Sequence, residues 1–166
     1  MTGWGAELWT AADLVTPMAS RVAATLRVMA TRLMSPALRE PLAPGSVVVA
    51  MSSGAALAGS PLSGGYAGAK AAIRYLRGYA AAESERAGLE IRFVTLLPQL
   101  TPATGLGSAG VEGYAARQGV DRDTFVDGLQ PILTPDQVAK AVVEVAGDPD
   151  SAPEYRLSGA GLHPLG

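Results

Sequence analysis

The chain has 166 residues, 48% hydrophobic and 17% charged, which suits one packed domain over 1–166 and carries too little charge for a disordered chain. Thirteen basic against fifteen acidic residues, a net charge of −2, argue against a nucleic-acid partner; the absence of cysteine excludes disulfides, thiolate ligands and a cysteine nucleophile; and one histidine, His163, cannot build a multi-histidine metal site. No apolar run reaches the roughly 18 residues of a membrane span, and the opening MTGWGAELW lacks the basic-then-apolar layout of a signal peptide, so a cytoplasmic location is expected.

In chain order, residues 17–34 read as a helix, with Val22, Leu26, Met29 and Leu33 on one apolar stripe. Three prolines and a glycine in SPALREPLAPG end it. Residues 46–51, SVVVAM, form a continuous β-branched run, the pattern of a strand buried on both faces. A small-residue loop follows, and then an Ala-rich helix over about 66–87, with Ile73, Leu76 and Ala80 on one face. A Glu83–Arg86 pair supports it, and Gly88 suits the position just past its end. Residues 91–97, IRFVTLL, form a second strand stopped by Pro98. Residues 99–130 read as an irregular excursion with weak helical stretches near 111–118 and 121–128, a flap of the kind that covers a binding site. Thr134-Pro135-Asp136-Gln137 opens a helix through a capping box, and Val138, Val142 and Val145 line its buried side. The tail supplies one short strand near 155–157. The fold class expected is α/β, a parallel sheet of two or three strands flanked by helices, with one strand edge left unpaired.

Chemistry concentrates between Ser53 and Lys70. Ser53 follows the first strand, at the carboxyl edge where open α/β sheets bind ligands. Tyr66 and Lys70, thirteen and seventeen residues on, are one helical turn apart on a shared face. The stretch GSVVVAMSSGAALAGSPLSGGYAGAKAAI resembles the short-chain dehydrogenase/reductase family, whose Ser and Tyr-x-x-x-Lys core has this spacing. TLRVMATRLMSPAL resembles the helix carrying half of that family's dimer contact, and GLEIRFVTLLP its strand leading to a Pro-Gly turn.

The resemblance implies a partial Rossmann-like fold, NAD or NADP as cofactor, and hydride transfer between nicotinamide and a carbonyl or secondary alcohol. An ordinary phenol, with a pKa of about 10, is a poor proton donor or base at neutral pH; an ammonium one turn away favours its ionised form. By the resemblance Tyr66 is the acid/base, Lys70 also holds the nicotinamide ribose, Ser53 binds the substrate oxygen, and Pro98 and Thr101 belong to the cofactor site. It further implies a homo-oligomer paired through helices 17–34 and 66–87.

The chain also departs from that pattern. The family's TGxxxGxG turn, which cradles the pyrophosphate at a helix N-terminus, has no counterpart before residue 45. The chain is therefore read as the catalytic and substrate-binding portion of such an enzyme. The alternative is an inactive remnant serving as an interaction module. Gln99 stands in place of the turn glycine, Ala103 in place of a threonine, and Ala-Ala-Thr occupies 23–25, where the family has a proton-relay asparagine. Gly105-Leu106-Gly107-Ser108-Ala109-Gly110 fits G-x-G-x-x-G, but seven residues with two prolines separate it from the strand, so it is assigned to the flap. Gly54–Ser60 imitates a phosphate loop without its lysine. A Ser53–His163 hydrolase pair lacks a G-x-S-x-G elbow.

Overall fold

The computed structural model describes residues 42–166. The helix expected over 17–34 and the 23–25 position lie outside them. Strand β1 is Val47–Met51, followed by a one-turn helix α1, Ala55–Ala58, and the long helix α2, Gly64–Arg86. Strand β2 is Arg92–Pro98; helices α3, Gly105–Gln118, α4, Arg122–Asp127, and α5, Pro135–Gly147, lead to strands β3, Glu154–Ser158, and β4, Gly161–Pro164.

The four strands form one sheet in the order β1-β2-β3-β4. β1, β2 and β3 are parallel, in registers that include Val49 with Val94 and Thr95 with Glu154. β4 runs antiparallel to β3, Leu157 facing Leu162. The sheet is therefore α/β and mixed, with one strand more than the sequence leads one to expect. Gly161, at φ 119°, takes a backbone conformation open to glycine and lets the chain reverse after Ser158. Ser158 Oγ accepts from Ala160 N at 3.2 Å inside that turn.

Alternation along the strands feeds two faces. Val47, Val49, Met51, Val94, Leu96 and Leu157 join Leu133, Ala141 and Val145 on the α5 side. Val48 and Phe93 pack with Ala80 of α2, and Ala50 packs with Ile73 of α2. Burial on both sides explains why SVVVAM and RFVTLL show no polar alternation. Leu96, Leu97, Leu133 and Leu157 are fully buried, each a contribution of about 1.5–3 kcal/mol. Among the described residues β1 is an edge strand.

Helix ends follow local chemistry. Thr134 and Gln137 close the capping box on α5. α2 ends at Ala87, and Gly88 at φ 60° turns the chain. Buried Ser84 donates to Ile91 O and accepts from Ile91 N, tying the last turn of α2 to the approach to β2. The excursion after Pro98 is more ordered than its composition suggests: Gly105–Gln118 is one continuous helix, capped by Thr104 Oγ1 accepting from Gly107 N at 3.1 Å. Its glycines permit close contact, since a Cβ on Gly107 would overlap the Thr101 carbonyl oxygen.

Candidate functional site

β1 and β2 leave the sheet side by side. Ser52 N donates to Leu96 O at 2.8 Å and Gly54 N to Pro98 O at 2.9 Å. A Cβ on Gly54 would stand 3.4 Å from Pro98 O, an ordinary contact, so the Ser53–Gly54 turn lies directly against the end of β2. Ser53 and Pro98 thus meet at the carboxyl edge of the sheet. Ser53 Oγ accepts from Ala55 N at 3.3 Å, and its proton has no acceptor among the described residues.

α2 delivers Tyr66 and Lys70 to the same corner. Ala67, Lys70, Ile73, Ala80 and Ser84 form its buried face, so Lys70 is directed at the sheet, with 8% of its surface exposed. Lys70 Nζ donates to the Met51 carbonyl at 2.9 Å and lies 5.6 Å from the centre of the Tyr66 ring. Buried Ser52 donates its hydroxyl proton to Lys70 O at 2.8 Å, fastening α2 to the exit of β1. The sequence reading missed Ser52 and the Met51 carbonyl; the Ser-Ser pair after the strand is the only signal for the first, and a backbone acceptor leaves none. Burial pushes the Lys70 ammonium below its ordinary pKa. No carboxylate pairs with it, and the half-buried Tyr66 hydroxyl has no hydrogen-bond partner among the described residues.

The remaining expected residues divide. Pro98 stands in the corner, its carbonyl holding Gly54. The Thr101 hydroxyl donates to Leu133 O and accepts from Ala103 N at 3.2 Å, so it ties the excursion to the approach to α5. Gln99, in place of the turn glycine, donates its side-chain amide to Leu129 O at 3.3 Å and Pro131 O at 3.2 Å. Gly105–Gly110 lies inside α3, so its glycines bend no strand-to-helix turn and the match to a dinucleotide fingerprint is accidental. His163 faces Arg156 on β4, three strands from β1, a separation of about 14 Å at ordinary strand spacing; it makes no dyad with Ser53.

A second polar cluster lies one turn further along α2. Arg74 and Arg77 both clamp buried Glu154 of β3, Arg77 Nη2 at 3.0 Å from Oε1. Burial pushes the Glu154 carboxyl up, but the two guanidinium hydrogen bonds and charges outweigh it and hold the carboxyl below its usual range. A concavity of about 240 Å³, lined by Arg77, Ile91, Phe93, Val94 and Ser151 among others, lies at the amino end of β2 and is separate from the Ser53–Tyr66–Lys70 corner.

The chain matches no protein-family model and no curated protein. Its chemistry must be argued from these residues.

Proposed function

We propose that this chain carries the catalytic and substrate-binding part of a cytoplasmic, nicotinamide-dependent oxidoreductase of the short-chain dehydrogenase/reductase type, interconverting a carbonyl compound and a secondary alcohol. One observation carries the reading: a buried lysine with no carboxylate partner among the described residues, its ammonium held by a strand-end carbonyl and lying 5.6 Å from a tyrosine ring. Burying an ammonium this way is costly, and an unpaired buried titratable group in a ligand-facing corner is a mark of chemistry rather than of packing. The parallel order of β1, β2 and β3 supports a Rossmann-like frame.

Ser53 would donate its free proton to the substrate carbonyl oxygen and stabilise negative charge developing there. Tyr66 would deliver a proton to the same oxygen. Lys70 would stabilise the phenolate left behind, and its two remaining N–H groups would take the ribose hydroxyls of a nicotinamide nucleotide, NAD or NADP. That nucleotide would supply the hydride. The nicotinamide end fits these donors; residues 42–166 hold no TGxxxGxG turn between a strand and a helix for the pyrophosphate.

A second reading, an interaction module, is favoured by the outer side of α2, where Tyr75 is 76% and Tyr79 45% exposed one turn apart. It agrees with pairing of two copies through 66–87 and is compatible with catalysis.

The test is reduction of a panel of ketones and aldehydes with NADH and NADPH. Tyr66→Phe is expected to lower the rate about 10³-fold, the usual scale of acid–base catalysis, with unchanged melting. A wild-type chain that is folded and reduces no carbonyl with either nucleotide would leave the interaction reading.

A further inference from the structure

Ser63 occupies the position preceding α2, where a serine ordinarily accepts from an amide of the first turn. It makes no such bond. Its hydroxyl instead shares a 2.7 Å hydrogen bond with Ser60 Oγ, and Ser60 Oγ shares another with Tyr114 Oη of α3. Ser60 Oγ also accepts from Ser63 N at 3.1 Å. With one proton and two lone pairs, the Ser60 hydroxyl is saturated.

α3 is held by more than this bond. The Tyr114 ring is stacked on Phe125 of α4, 6.3 Å between centres and 8° between planes, and the helix is capped at both ends. The hydroxyl therefore acts outward, onto the loop before Tyr66. Leu62 of that loop lies against α3, where a Cβ on Gly113 would stand 3.0 Å from its Cδ1. α3 thus touches the loop before Tyr66 near its middle and the Thr101 turn at its start.

We propose that Tyr114, Ser60 and Ser63 form a two-position latch between α3 and the first turn of α2, the turn that carries Tyr66. In the latched position Ser63 is held off the helix and the Gly65 and Tyr66 amides lack a side-chain cap. When Tyr114 withdraws, the hydroxyl chain loses its polarising end, the exposed Ser60–Ser63 bond competes with water, and Ser63 turns to cap α2. The helix alongside the site loosens while the turn bearing the acid/base tightens. The inference rests on the proposed function for the claim that this turn is catalytic, and it concerns the regulation of that site.

Backbone amide exchange of the full chain tests it. Tyr114→Phe keeps the ring stack and is expected to speed exchange across 105–118 about fivefold, the loss of one ordinary hydrogen bond, while slowing Gly65 and Tyr66 about threefold. Ser60→Ala is expected to give the same opposed shifts. Adding Ser63→Ala to Tyr114→Phe is expected to keep the first shift and abolish the second. Shifts of the same sign at both places, unchanged exchange at Gly65 and Tyr66, or failure of both single variants to fold would overturn the latch. Titration with NADH and NADPH alongside separates the two ideas. Opposed shifts without binding of either nucleotide would strike the functional reading alone, and binding of one with shifts of one sign would strike the latch alone.

Discussion

The first turns of α2 and the stretch one turn further on handle polar groups in opposite ways. Around Glu154 nearly everything is matched: two arginines grip one carboxylate, and beyond them Ser84 both donates and accepts. Arg77 Nε and Thr95 Oγ1 are the exceptions. Around Lys70 the matching is partial. One ammonium proton has an acceptor, while the Ser53 and Tyr66 protons have none among the described residues. Ser53 and Tyr66 are half-buried, so their protons are open to water or to a ligand. The first cluster is read as anchorage and the second as site.

Substitutions can break this contrast. The largest effect is expected from Glu154→Gln, which leaves two guanidinium groups without a counter-charge: a loss of about 3 kcal/mol by urea unfolding, on the scale of a broken buried pair and tempered by the partial exposure of Arg74. Its pH signature follows from linkage. The Glu154 carboxyl sits below its ordinary pKa of 4.5 in the fold. Its stabilisation is thus complete above about pH 4.5 and lost as pH falls through the lower folded-state value; the variant is expected to lack that acid-limb decline.

Lys70→Met should go the other way, raising stability by about 1 kcal/mol, since stability is often sacrificed at functional positions. Because its folded-state pKa lies below 10.5, the wild-type chain should gain stability as pH rises from that lower value toward 10.5, and the variant should not. If Lys70→Met were instead as damaging as Glu154→Gln, both clusters would be anchorage. The smallest effect is expected at Thr95, fully buried beside Glu154 in the register, with an unpartnered hydroxyl. Thr95→Val should stabilise by about 0.5 kcal/mol in thermal melts.

Much of this frame is legible in the chain itself. β1, α2, β2 and α5 follow from apolar runs, helical periodicity and a capping box, all local signals. α3 is obscured because Gly105, Gly107, Gly110 and Gly113 lower helix propensity, whereas the fold uses Gly107 and Gly113 for close approach to Thr101 and Leu62. β4 is obscured because Gly161 and Pro164 read as loop, and only pairing with β3 makes four residues a strand. At the site, the Tyr66–Lys70 spacing is visible because both share one helix. The commitments of Thr101 to Leu133 and Gln99 to 129–131 span about thirty residues, and the Arg74–Glu154 pair spans eighty. No periodicity encodes such distances.

The central claim is that the open cluster at Lys70 binds a nicotinamide nucleotide. Its most direct test is a titration of the chain with NADH and NADPH, followed by nicotinamide fluorescence. The account expects saturable binding of at least one nucleotide tighter than about 1 mM, roughly 4 kcal/mol, abolished in Lys70→Met and retained in Glu154→Gln under conditions where both variants are folded. No saturable binding by the folded wild-type chain, or equal binding by Lys70→Met, would contradict it.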